Sequence, residues 1–334
     1  MKHLAITALS AFALSFCAFS QNSNAEKLST PEKEPKNVTT VKLSPVVFAG
    51  NRYVVKANFG LKKSVPLMIH GNARFYLMIT HDIAEQLNNG KPIKKISDYG
   101  YSDKGKGIIK VEKFQVGNKT FTNGENVPVF DFLAEEGKAA QGMLGIYFLK
   151  NEKVRIDFVN EQMEIGVVVN EQPDKNLLAQ GYSYTKFFVE NGEGYMNVYF
   201  DALKKEIPIT IGTVADEYAL DLVTFQNGIE VEATDSKDHS PGGTTPKIFL
   251  NAAPIKYRIA DQSFEIPPKK ADLHSFAEYE KVKQSELFPF GIFGRDWMKE
   301  NSAVLDYANN ILYFKKKNTV NYKKAPKLQS VHNQ

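Results

Sequence analysis

The sequence carries the same half twice, and nothing else in it constrains the fold as much. Residues 142–165 read GMLGIYFLKNEKVRIDFVNEQMEI, and residues 291–314 read GIFGRDWMKENSAVLDYANNILYF. They align without a gap at an offset of 149, which lays Gly142, Gly145, Lys150, Asp157 and Asn160 on Gly291, Gly294, Lys299, Asp306 and Asn309. Upstream, Tyr53 to Thr80 falls on Tyr195 to Thr224, at an offset of 142 through the middle, where LKKSVPLMI recurs as LKKEIPITI. Two matches in the same order point to a duplicated domain.

Within each half the local signals are mainly β. Val46-Val47-Phe48, a Gly50-Asn51 turn and Tyr53 to Phe59 read as strands, and LKKSVPLMI as the next one. Pro66 is tolerable there only at an edge or near a strand start. Thr80 is placed to cap a short helix, with Asp82 in its first turn, Ile83 and Leu87 on one face, and Asn89-Gly90 as the stop. Residues 98–108 are Gly-rich and polar, and the segment after them alternates around Gly117-Asn118 as a hairpin does. In the second half, residues 234–245 hold the matching Gly-rich stretch, and residues 268–287 read as a helix-like insert without a counterpart. Short strands with regularly spaced turns and few helices indicate a mainly-β chain.

Each half resembles one lobe of the retropepsin/pepsin-like aspartic peptidases. VPLMI leads into His70-Gly71-Asn72-Ala73 where that family has Asp-Thr-Gly-Ala, and IPITI leads into Gly212-Thr213-Val214-Ala215 at the matching place. GMLG and GIFG, each followed by a helix-like segment and then IDF or LDY, stand where the closing elements belong. Gly294-Arg295-Asp296 is similar to the Gly-Arg-Asp of retroviral proteases. The resemblance covers roughly residues 46 to 316. It implies two retropepsin-like β-barrel lobes in tandem with a few short helices, and flap hairpins at residues 98–108 and 234–245. The lobes would be residues 45–168 and 182–316, joined by a linker at 169–181. A flexible leader, 26–44, and a basic flexible tail, 317–334, would flank them.

The departure falls on the chemistry. Aspartic peptidases hold two carboxylates about 3 Å apart around one water, sharing a proton, one acting as base and the other as acid. No Asp-Thr-Gly or Asp-Ser-Gly occurs here, and the pseudo-catalytic positions are His70 and Gly212. A glycine cannot titrate, and a lone His lacks its partner. The resemblance therefore implies that the family's hydrolysis is absent. An altered hydrolase using His70 with Asp216 or Glu217 is the competing enzymatic reading. Asp157, Asp306 and the Arg295–Asp296 pair read as structural, and Asp82 as a helix-start carboxylate.

His70, His81, His239 and His274 are scattered without metal-ligand spacing, so no metal is expected. Gly105-x-Gly107 is not a nucleotide fingerprint, and Gly-x-Ser-x-Gly is absent, so neither a cofactor nor a serine nucleophile is expected. What remains is an interlobe cleft that takes a peptide or protein segment as a strand. Gly71, Asn72, Ala73, Arg74, Thr213, Val214 and Asp216 are its candidate ligand-binding residues. A purely structural partner protein is the third reading. Because one chain supplies both lobes, a monomer is expected.

Residues 1–25 read as a signal peptide: Lys2, an apolar Leu4–Phe19 run of ~16 residues where a membrane span needs ~20, and small residues before Gln21 and Glu26. Cys17 leaves a lipoprotein as the lesser alternative. A mature chain without cysteine, rich in Lys and Asn, suits a bacterial periplasm or secretion. The net charge of +4 sits largely in Lys315–Lys317 and Lys323-Lys324, and no basic face suited to nucleic acid is visible.

Overall fold

A sheet shared by both halves holds the middle of the molecule. The computed structural model describes residues 38–47, 51–98, 103–122, 126–132, 139–170, 172–215, 218–235, 237–240, 243–247, 249–274 and 290–316. The predicted signal peptide, the tail from residue 317 and the residues at 275–289 lie outside them. Across the middle run strands Thr39–Lys42, Gln162–Ile165, Val154–Asp157, Val304–Asp306, Ile311–Phe314 and Ser183–Glu190, in that order. Three come from each half. The central pair is antiparallel, with Arg155 opposite Asp306, Ile156 opposite Leu305 and Asp157 opposite Val304. Ile156 and Leu305 are 149 residues apart, the offset of the repeat itself. The pseudo-two-fold axis therefore passes between them.

Each half then builds its own body around the same crossing. In the first, Val65–His70 runs parallel to Gly142–Gly145, with Met143 beside Met68 and Gly145 beside His70. Gly142–Gly145 pairs antiparallel with Leu77–Ile79 on its other side. In the second, Lys205–Ile211 runs parallel to Gly291–Phe293, with Ile292 beside Thr210, and Gly291–Phe293 pairs antiparallel with Tyr218–Asp221. The register is the same in both copies. Small residues are forced at this crossing: a Cβ on Gly145 would strike the carbonyls of Ala73 and Phe75, and one on Gly142 the carbonyl of Met78. Mainly-β, two-lobed architecture is thus what the residues build, with short helices at His81–Leu87, Ile146–Asn151, Lys175–Ala179, Leu222–Phe225 and Arg295–Glu300.

Three sequence expectations are corrected. The leader does not stay flexible to residue 44, because Thr39–Lys42 pairs with Gln162–Ile165, Thr39 donates to Asn118 Oδ1 at 2.7 Å, and Leu43 is fully buried. The 268–287 insert is not helical where described: Ala271–His274 is a strand parallel to Tyr218–Asp221, the counterpart of Val127–Val129 beside Ile79. The second-half match ends earlier than Thr224, since Asp221 is the N-cap equivalent to Thr80 and accepts from Thr224 N at 2.9 Å. Thr80 does sit at its N-cap, but its hydroxyl makes no capping bond. Asp131 instead accepts from His81 N at 2.9 Å.

Candidate functional site

The two turns predicted to face each other are in direct contact. The strand Val65–His70 ends in a turn closed by Ala73 N donating to His70 O at 3.1 Å. Thr213 Oγ1 accepts from Gly71 N at 2.8 Å and donates to Ile69 O at 3.1 Å. In the other direction the Asn72 side chain, with its amide nitrogen assigned toward the acceptors, donates to Ile211 O at 2.8 Å. Val214 of the second half is buried in a cluster supplied by the first, among Val54, Met68, Met78, Phe132 and Met143. Each turn is also pinned to the helix behind it: Ile146 N donates to Ala73 O at 2.9 Å, and Arg295 N donates to Ala215 O at 2.8 Å.

His70 is half-buried and behaves as a neutral imidazole. Its Nδ1 accepts from Asn72 N at 3.3 Å, which puts the ring proton on Nε2. Desolvation, and after it the nearby Arg52 guanidinium, hold its pKa down at about 4. Such a group is a weak base at neutral pH. Gly212 offers no functional group, and a Cβ there would lie 2.6 Å from Ile292 Cγ2, so the space an acid would need is occupied.

Of the residues predicted to bind ligand, Gly71, Thr213 and Val214 are buried in the joint. Asn72 and Ala73 are half-buried and Arg74 is exposed, while Asp216 lies outside the described residues, as does Glu217. Arg74 reaches from the first half onto the second. Its stem lies over the turn at Gly192, where it fills the space a side chain would need, and its guanidinium is 3.9 Å from Glu193. Glu193 is itself buried and accepts from Tyr195 Oη at 3.0 Å. Burial, with Glu193 second, pushes the Tyr195 hydroxyl above its ordinary range.

Sequence reasoning missed Arg52 and Glu193. Both are charged residues at the first or second position of a strand, where a solvated reading is the default, and only the fold reveals that each is at most 4% exposed. Arg295 pairs locally with Asp296 at 3.4 Å. Among the described residues no cluster of His, Cys, Asp and Glu is arranged to hold a metal ion, and no helix is long and apolar enough to cross a membrane. Two cavities of about 590 and 540 Å³ lie on the second half, the former floored by Tyr257 and Phe264, the latter beside Tyr182 and Lys315; neither is lined by the two turns.

No family model matches the sequence, and neither does any curated protein. Among solved structures the chain is similar to conglutin gamma, a basic 7S globulin from lupine seeds, at 11% identity and a TM-score of 0.45. The match covers 84% of this chain and 95% of that one.

Proposed function

We propose that this chain is an exported, catalytically inactive relative of the aspartic peptidases that holds an extended peptide or protein segment against the joint between its lobes. One observation carries the reading. The two turns remain tied by Thr213, yet the residues just before Gly71 and Thr213 are His70 and Gly212, neither of them an acid. A joint kept in register without its chemistry is suited to binding, because strand-like capture of a peptide uses main-chain hydrogen bonds and needs no carboxylate. The neutral, weakly basic His70 runs against the competing hydrolase reading.

On this reading His70, Asn72 and Ala73 offer the solvent-reachable floor, and Arg74 the charged rim. A fluorescent random peptide pool passed over the immobilised mature protein tests it. Arg74→Ala is expected to lower retention by about tenfold, the size of a rim-to-hot-spot contact. Equal retention by wild type and variant, or none by either, would remove the proposed site.

A further inference from the structure

The two turns are not bridged in the same way, and the difference follows from two substitutions far apart in sequence. Thr213 has Gly71 as its counterpart at the offset of 142, so the first turn has no hydroxyl to send across. Phe158 has Tyr307 as its counterpart at the offset of 149, so the second closing segment carries a hydroxyl that the first lacks. The structure brings these two departures together: a Cβ built on Gly71 would overlap the Tyr307 hydroxyl outright, closer than side-chain atoms approach.

Tyr307 cannot easily swing away. It is 1% exposed and its ring packs edge-on against Phe187 at 5.5 Å. Its backbone N donates to Val154 O at 2.9 Å, and its carbonyl accepts from Lys150 Nζ at 3.0 Å. The remaining half of the mirror bridge comes from a third residue. Where Thr213 donates to Ile69 O, the symmetric carbonyl is Ile211 O, and it receives the Asn72 amide.

We infer that Gly71 and Tyr307 form a co-substituted unit: the ring hydroxyl on the closing segment fills the place that a side chain at position 71 would take, and Asn72 completes the bridge. The joint is therefore rebuilt around Gly71–Tyr307 where the internal symmetry would put Thr–Phe. A consequence is that any side chain at position 71 is overpacked while Tyr307 remains.

A double-mutant cycle in the full mature chain tests this, with Gly71→Ala, Tyr307→Phe and the pair compared by urea unfolding. Overpacking makes Gly71→Ala alone shift the unfolding constant by roughly ten- to a hundredfold toward the unfolded state. The pair is expected to be at least about tenfold more stable than Gly71→Ala alone, because removing the hydroxyl relieves the overlap. Thr213 Cγ2, 3.2 Å from the new Cβ, keeps the rescue short of complete. If Gly71→Ala yields no folded protein and the pair does, that is the same rescue. A pair no more stable than Gly71→Ala, or equally unfolded, overturns the inference. The readout involves no peptide, so its failure is distinct from failure of the binding proposal.

Discussion

A single half-buried imidazole gives the joint a pH dependence. His70 holds no proton in the folded chain until the pH nears 4, whereas an unfolded chain takes one up near the ordinary imidazole value of 6.5. Between those values unfolding binds a proton, so stability is full above about 6.5 and falls as the pH drops toward 4. The ceiling on this effect is about 3 kcal/mol, reduced because part of the residue still meets solvent. Urea titrations at several pH values are expected to show this slope in the wild type and a shallower one in His70→Gln. Parallel slopes would mean that the imidazole is not shielded as described. That position 70 lacks an acid was legible in the sequence. Its environment was not, because Arg52 lies on the neighbouring strand and nothing in the run NRYVVK separates a buried arginine from a solvated one.

At the scale of elements, the repeated letters outside the turns turn out to be joints and clamps. Asp157 accepts from Val159 N, Asn160 N and Asn160 Nδ2, and Asp306 accepts from Asn309 N and Asn309 Nδ2, the same Asp-x-x-Asn turn. Each turn is followed by a residue with positive φ, Glu161 at 52° and Asn310 at 54°. Lys150 reaches across to Tyr307 O, and its counterpart Lys299 reaches back to 4.0 Å from Glu161.

The symmetry breaks at Arg155, which pairs with fully buried Asp306 at 3.0 Å and with Asp174 at 3.0 Å. Asp306→Ala strands part of that guanidinium and is expected to cost about 3–5 kcal/mol. Asp157→Ala removes only turn bonds near the surface, at about 1 kcal/mol. Equal losses in chemical unfolding would refute the asymmetry. Strands with internal alternation or a twin were legible in sequence. Thr39–Lys42 was not, because what makes it a strand is Gln162–Ile165, some 120 residues away. Ala271–His274 was masked by the polar PPKK run before it, and it owes its conformation to Tyr218–Asp221.

On the scale of the whole molecule, one number recurs. The repeat offset of 149 is also the separation of Ile156 and Leu305, the residues facing each other at the middle of the shared sheet. Duplication and two-fold arrangement are therefore one fact seen twice, which is why the mainly-β, two-lobed architecture could be read before any coordinates. What the repeat could not reveal is how its copies diverged where they touch. Gly71, Asn72, Thr213 and Tyr307 are individually ordinary, and only their contact across the joint gives them meaning. Digestion of a mixed peptide pool by the purified mature protein from pH 3 to 8, followed by mass spectrometry alongside His70→Ala, addresses the central claim most directly. The expected result is no cleavage above the blank at any pH for either protein. Sustained cleavage by the wild type that disappears in His70→Ala would contradict it.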